Sequence, residues 1–182
     1  AEQVDRVETL VGFGNKRNLM YADPQQEMEA RFSMNYCIAV AVLYGRVSLS
    51  DFTPAAVHRP EVRAFLPRVS MEAYPQNAEG PDPTPRLPHK VTILLNHGRS
   101  FSGESVWARG TIHNPFDEAD LEAKFRDCCE GFLAPNDFAA VLAMLADFRG
   151  IRSIRDLTRR LAFEAGADHG ERFAARPTLA AE

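Results

Sequence analysis

Cysteines are few in this sequence, and the spacings that would let them bind a metal are missing. The 182 residues include three cysteines, Cys37, Cys128 and Cys129, of which the last two are adjacent. An odd number without a spaced framework is typical of a reducing compartment. Neither a Cys-x-x-Cys nor a His-Glu-x-x-His pattern occurs, and the five histidines are dispersed. We therefore expect no zinc site.

Long apolar runs are missing as well. The longest strongly apolar stretch, Cys37 to Tyr44, is far shorter than the ~20 residues that a helix needs to cross a bilayer. No secretory signal is recognisable, so we expect a cytoplasmic protein. The chain begins at Ala1 directly in a strand-like alternation, as a piece of a longer chain would.

The sequence has no excess of basic residues either. Lys and Arg number 21 against 25 Asp and Glu, which gives a formal net charge of −4. This balance disfavours nucleic acids and anionic membranes as partners. The one basic cluster is expected to be a solvated helix face, and it consists of Arg152, Arg155, Arg159 and Arg160. The apolar content of 45% is that of an ordinary globular protein.

One apolar segment predicts a buried central helix from about Ser33 to Tyr44. Ser33 is a suitable N-cap, because its hydroxyl can accept a hydrogen bond from a first-turn N–H. Gly45 follows the last apolar residue, where a helix ends most easily. Residues 38–43 are apolar on every side of the helix, which places it in the interior.

The remaining pattern predicts an α+β fold. Strands are predicted at 3–11, 68–73, 90–95 and 100–108, and helices at 61–65, from Asp117, after Pro135 and at 153–163. Asn96-His97-Gly98-Arg99 indicates a hairpin, and the proline-rich 74–87 an exposed loop. Asp117 and Asp120 have the spacing of a capping box. We predict a small, mostly antiparallel sheet packed on the buried central helix and followed by C-terminal helices, not alternating βαβ units.

Groups that could carry out catalysis are scarce. No Gly-x-Ser-x-Gly motif exists. Gly12-Phe13-Gly14 resembles the start of a dinucleotide fingerprint, but Arg17 stands at the third glycine and we expect no helix to open there. His97 and His113, near the hairpin, are either general acids or bases or simply exposed loop residues. One thiol of the Cys128-Cys129 pair is expected to pack rather than to act as a nucleophile.

Tyr36 is the candidate site residue. It lies in the first turn of the central helix, where the chain enters from a polar loop, and its phenol could either face a cleft or pack in the core. The surrounding segment from Ala30 to Val47 resembles a signature of the MmgE/PrpD family. Matching elements follow in the same order: Pro60-Glu61-Val62 with Val69; Pro88, Val91, Gly98 and Arg99; Gly110, Asn114-Pro115, Leu121 and Lys124-Phe125.

The resemblance, over roughly 3–160, implies a function. Members of this family include 2-methylcitrate dehydratase and cis-aconitate decarboxylase, and they are considerably longer. It implies that 1–163 is the C-terminal lid domain of a lyase or isomerase of small di- or tricarboxylic acids, with 164–182 a loosely held tail. The N-terminal helical domain of the family, with most acid–base residues, is absent from this sequence. Tyr36 would then contact the substrate or relay a proton, with no metal or organic cofactor.

Two other interpretations assign the chain to a different functional class of protein. A non-catalytic interaction module could keep the fold and use its exposed helix faces to bind a partner or to form a homodimer. A small independent hydrolase is disfavoured because the nucleophile motif is missing. We expect the chain alone to be an incomplete enzyme, and the full-length parent to bind a small carboxylic acid as its substrate. The sequence does not choose among dehydration, decarboxylation and epimerisation.

Overall fold

The computed structural model describes residues 1–78, 86–129 and 132–162. These residues divide into two compact units, the first made of the described part of 1–114 and the second beginning at Pro115. None of the helices in the described residues is long and apolar enough to cross a membrane.

The first unit is built on a four-stranded sheet. Its strands are β1 (Val4–Val11), β2 (Val69–Ala73), β3 (His89–Leu95) and β4 (Ser100–Ser105). The order is β2-β1-β3-β4, with β1 and β2 parallel and the other two pairs antiparallel. The predicted α+β class and the mostly antiparallel sheet are therefore confirmed.

A helical crossover joins the two parallel strands. It contains α1 (Phe13–Asn18), α2 (Glu27–Arg31), α3 (Met34–Tyr44), α4 (Pro54–Val57) and α5 (Pro60–Phe65), with 3₁₀ turns at Leu49–Phe52 and Leu66–Arg68. The prediction disfavoured alternating βαβ units, and this connection is a single crossover in a mostly antiparallel sheet, because a parallel pair of strands needs one. The expectation that no helix opens after Gly12 is wrong, since α1 begins at Phe13.

Helix α3 is the buried centre of the unit, as predicted. The Tyr36 N–H donates to the Ser33 hydroxyl at 3.0 Å, and Gly45 ends the helix with φ of 77°. No residue of α3 is exposed. The Asn35 amide donates to the Val69 carbonyl at 2.6 Å and so ties the helix to β2. Residues from α2, α4, α5, β1, β2 and the 3₁₀ turn at Leu66–Arg68 pack with it in the apolar core.

The hairpin between β3 and β4 also follows the prediction. Gly98 has φ of 84° and its N–H donates to the Leu95 carbonyl at 2.9 Å. Strand β3 is half-buried, and Ile93 faces Phe101 across the pair. All residues of β4 are exposed, so the described sheet ends in an open edge strand.

The second unit is helical in its described residues. It contains α6 (Glu118–Cys129), α7 (Pro135–Ala146) and α8 (Ile154–Leu161). The predicted capping box is present, since the Asp117 N–H donates to Asp120 at 3.1 Å and the Asp120 N–H to Asp117 at 2.9 Å. All four arginines of the basic cluster are exposed. The predicted tail, 164–182, lies outside the described residues.

Candidate functional site

Tyr36 lies at the centre of the first unit. Its side chain is fully buried, with 0% exposure, because α3 packs this face inward. The hydroxyl donates a hydrogen bond to the backbone carbonyl of Asp51, and the ring lies 6.0 Å from that of Phe52. Burial raises the pKa of the phenol well above its ordinary value, so that the group is a protonated donor at neutral pH.

Asp51 carries a second set of contacts through its carboxylate. One oxygen accepts hydrogen bonds from the Ser48 N–H at 2.8 Å and from the Ser48 hydroxyl at 2.9 Å. These two bonds cap the 3₁₀ turn at Leu49–Phe52. The other oxygen pairs with the Arg59 guanidinium at 2.8 Å. The Asp51 side chain is 0% exposed and that of Arg59 15% exposed. The pair is therefore a largely desolvated ion pair with hydrogen bonds on both oxygens.

Tyr44 extends this network toward the surface. The Arg59 guanidinium lies 4.9 Å from the centre of its ring, within the range of a cation–π contact. The Tyr44 hydroxyl donates to the Glu61 carboxylate at 2.5 Å. This hydrogen bond lowers the pKa of Glu61. Burial and the same bond raise the pKa of Tyr44 to about 12.

The surroundings of Tyr36 explain its fixed position. Its hydroxyl proton is already donated to Asp51, and a phenol with a strongly raised pKa exchanges protons poorly near neutral pH. This conformation suits a residue that holds the 3₁₀ turn onto α3. That Tyr36 contacts a substrate stays a prediction.

A second candidate site is an open cleft of about 510 Å³ in the first unit. It lies where β3 begins and β4 ends, since His89 and Ser105 are paired across these strands and both line it. The cleft is lined by Asn15, Arg86, His89, Ser105, Val106, Trp107, Ala108, Thr111, Ile112 and His113. We call it the Trp107 cleft.

The loop that follows β4 shapes this cleft. The Trp107 ring stacks on the His113 imidazole, with centres 4.1 Å apart and planes at 29°. The Trp107 carbonyl accepts hydrogen bonds from the Ser105 hydroxyl at 2.9 Å and from the Asn114 amide at 3.1 Å. The backbone carbonyl of Asn114 also accepts a hydrogen bond from the Gly110 N–H at 2.7 Å. These hydrogen bonds close the loop on itself, and the Trp107 and His113 rings stack on each other within it.

Arg86 completes the cleft from the segment before β3. Its guanidinium lies 5.3 Å from the centre of the Trp107 ring. The Tyr74 hydroxyl donates to the Pro88 carbonyl at 2.9 Å, which anchors the chain between Arg86 and β3. The Trp107 ring therefore has both a guanidinium and an imidazole as neighbours.

The other predicted residues are dispersed. His97 is exposed at the hairpin turn and does not line the Trp107 cleft, whereas His113 does. Cys128 is exposed and Cys129 half-buried, both in the second unit. Within the described residues, no group of three or more His, Cys, Asp or Glu side chains could hold a metal ion.

Sequence reasoning missed most of the Trp107 cleft. His89 and Arg86 adjoin a proline-rich stretch, and their nearness to Trp107 follows only from the pairing of β3 with β4. One signal was available. Asn114 belongs to an element that resembles the family pattern, and its amide positions Trp107.

Comparisons with known proteins agree on one family. The profile of the MmgE/PrpD C-terminal domain matches residues 1–147. Cis-aconitate decarboxylase of Mus musculus is 28% identical over 138 residues, which cover 76% of this chain and 28% of that protein. The Homo sapiens cis-aconitate decarboxylase is 27% identical over 148 residues, which cover 79% and 30%. The chain thus spans less than a third of the length of these relatives.

Proposed function

Because this chain belongs to the MmgE/PrpD family, we propose that it is the C-terminal lid domain of a lyase or isomerase acting on small di- or tricarboxylic acids. The observation that carries the proposal is the family match over residues 1–147. The two cis-aconitate decarboxylases, which are similar over 76% and 79% of the chain, support a lyase. Dehydration, decarboxylation and epimerisation all fall within the proposal.

The proposed reaction divides the work between this chain and residues outside it. Removing a proton next to a carboxylate needs a positioned base, and the charge that develops needs cationic or hydrogen-bond partners. The buried carboxylate of Asp51 is already paired with Arg59 and is poorly placed to act as that base. We assign the base to the helical domain that the family resemblance implies, and the binding of substrate carboxylates to this domain. No metal or cofactor takes part in the proposed reaction.

Tyr36 enters this proposal as the residue that contacts the substrate. Its phenol is a donor at neutral pH, since burial raises its pKa, and a donor is what a substrate carboxylate requires. Contact requires the hydroxyl to exchange its bond to the Asp51 carbonyl for one to the substrate when the lid closes. The role is therefore hydrogen-bond donation rather than proton transfer.

The proposal is tested by measuring whether the full-length gene product that contains this chain turns over candidate acids. Cis-aconitate, 2-methylcitrate and related acids are supplied one at a time in deuterated buffer. NMR then follows loss of substrate, formation of product and deuterium uptake next to the carboxylates, and released carbon dioxide is measured alongside. We expect one acid to react, and the chain of 182 residues alone to be inactive. If the folded polypeptide transforms none of them, the lyase or isomerase function is contradicted and the non-catalytic interaction module is favoured.

A further inference from the structure

Another cleft of the first unit lies between the start of α3 and the start of β2. Its volume is about 490 Å³, within the range of small-molecule sites. The residues that line it are Ala22, Asp23, Asn35, Arg63, Leu66, Pro67 and Val69. We call it the Asn35 cleft. None of these residues belongs to the network that joins Tyr36 to Asp51 and Arg59, so the cleft is a site separate from that network.

Asn35 gives the cleft a buried hydrogen-bond acceptor. The residue is only 6% exposed. Its amide nitrogen donates to the Val69 carbonyl at 2.6 Å, and this bond fixes which end of the side-chain amide is the nitrogen. No residue of the described part of the chain donates a hydrogen bond to the other end, the Oδ1 oxygen. Because buried acceptors in folded proteins are nearly always paired, this oxygen suits a ligand that donates an N–H.

Arg63 adds hydrogen-bond donors to the same lining. Its guanidinium donates to the Pro24 carbonyl at 2.7 Å and to the Asp23 carboxylate. These bonds use two of the five N–H groups that a guanidinium has. Asp23 also accepts from the Gln25 amide at 3.0 Å. Since the charges of Asp23 and Arg63 neutralise each other, the pair offers hydrogen bonds with little preference for an ion of either sign.

The wall beside these polar groups is apolar and fixed. Leu66 and Val69 are buried residues of the core, and Pro67 follows Leu66 in the 3₁₀ turn. The bond from Asn35 to the Val69 carbonyl holds the first turn of α3 against this wall. An apolar wall favours a ligand with a short hydrocarbon group. One acceptor, a set of arginine N–H donors and an apolar wall together complement an amide that carries a small alkyl group.

We propose that the Asn35 cleft binds a small, uncharged primary carboxamide. The ligand N–H donates to Asn35 Oδ1, and the ligand carbonyl accepts from Arg63. Its alkyl group lies against Leu66 and Pro67. A carboxylate is a poorer match, because it has no N–H to donate and would set a second acceptor against Oδ1. The inference depends on this cleft alone and not on the proposed function.

The experiment compares two ligands of the same shape by saturation-transfer NMR, with the full-length gene product that contains this chain. Isovaleramide is the probe. Isobutyl methyl ketone keeps its alkyl group and carbonyl but has a methyl group in place of the NH₂. We expect saturable binding of the amide and at least about tenfold weaker binding of the ketone, because the ketone leaves the buried Asn35 oxygen without a donor.

A matched pair of arginine variants locates the binding. Arg63→Gln removes donors of the cleft and should weaken isovaleramide about tenfold. Arg68→Gln removes a guanidinium that also donates to a backbone carbonyl, that of Val4 at 2.9 Å, but does not line the cleft, and it should keep the parent affinity. Asn35→Leu replaces the amide by an apolar group of similar size and should abolish saturable binding. Circular dichroism checks that the variants fold.

A further arm separates two sources of the amide. A capped tripeptide with glutamine at its centre presents the same carboxamide from a peptide side chain. We expect it to bind more weakly than isovaleramide, because fixing a peptide side chain in one conformation costs entropy. A peptide that binds more tightly assigns the cleft to a peptide segment and overturns the choice of a small molecule.

Three results overturn the proposal. They are no saturable binding of isovaleramide, equal affinities for the amide and the ketone, and equal affinities of the folded Arg63→Gln and Arg68→Gln variants. The comparison of amide with ketone uses the parent protein, so it decides the matter even where a variant fails to fold. Turnover of carboxylic acids is measured separately, and its absence contradicts the proposed function without bearing on this cleft.

Discussion

The Tyr36 hydroxyl donates to the backbone carbonyl of Asp51, while the carboxylate of the same Asp51 pairs with Arg59 at 2.8 Å. One residue of the 3₁₀ turn thus joins the central helix α3 to the segment before α5. Both Tyr36 and Asp51 have 0% exposure, so these polar contacts lie inside the core. A side chain that the sequence marks as a site candidate is at the same time part of the folded framework.

Replacing Tyr36 by phenylalanine should destabilise the first unit. The substitution removes the hydrogen bond that the Tyr36 hydroxyl donates to the buried Asp51 carbonyl, and the expected loss is about 1–2 kcal/mol in the free energy of unfolding. Tyr74→Phe is the matched control, because the Tyr74 hydroxyl also donates to a backbone carbonyl, that of Pro88, but in a half-buried setting. Urea denaturation of both variants measures the difference. A Tyr36→Phe protein as stable as the parent would show that the bond contributes nothing.

The same variant separates a structural from a substrate-contacting role of Tyr36. The measurement uses the full-length gene product, at a temperature where its Tyr36→Phe variant is fully folded. Loss of a hydrogen bond to the substrate should then lower kcat/KM about tenfold. As a control, Tyr44→Phe removes a hydroxyl at the other end of α3 and should keep the parent value. Unchanged kcat and KM in folded Tyr36→Phe would leave Tyr36 with a structural role and remove its support as a site residue.

The bond between Tyr44 and Glu61 should make stability depend on pH. The Tyr44 hydroxyl lowers the pKa of Glu61 in the folded state below its usual 4.5. A carboxyl with a depressed folded pKa stabilises the protein above its unfolded pKa, and the contribution is lost as pH falls through the folded pKa. Tyr44→Phe should therefore lose less stability than the parent between about pH 6 and pH 3. Urea midpoints across this range test it, and equal acid sensitivity of the two proteins would contradict it.

Cys37 should resist alkylation in the folded protein. Burial raises the pKa of its thiol to about 11, so at pH 8 only about one thiol in a thousand is the reactive thiolate. Cys128, in contrast, is exposed. Brief treatment with iodoacetamide followed by peptide mass spectrometry should find Cys128 modified before Cys37, with the difference abolished in denaturant. Equal rates in the folded protein would place Cys37 in solvent.

Sequence reasoning succeeded where the determinants are local. The Ser33 cap, the stop at Gly45 and the Asp117–Asp120 box each depend on residues a few positions apart, and the structure has all three. The apolar run of α3 is buried for the same reason, because a helix apolar on all faces has no side to turn to solvent.

The parallel pairing of β1 with β2 could not be predicted in the same way. It joins Val7 to Val69 across five helices, some of only four to six residues, and helices so short leave a weak periodic pattern. The nearness of Arg86 to Trp107 is likewise a product of strand register. Such contacts depend on how distant segments pair, and no local pattern encodes them.

The most direct test of the account measures turnover of cis-aconitate, 2-methylcitrate and related acids by the full-length gene product that contains this chain, beside the chain of 182 residues alone. If the chain is the lid domain of a lyase or isomerase, the full-length protein should transform one of these acids and the chain alone none. A folded full-length protein that transforms none of them would contradict the account.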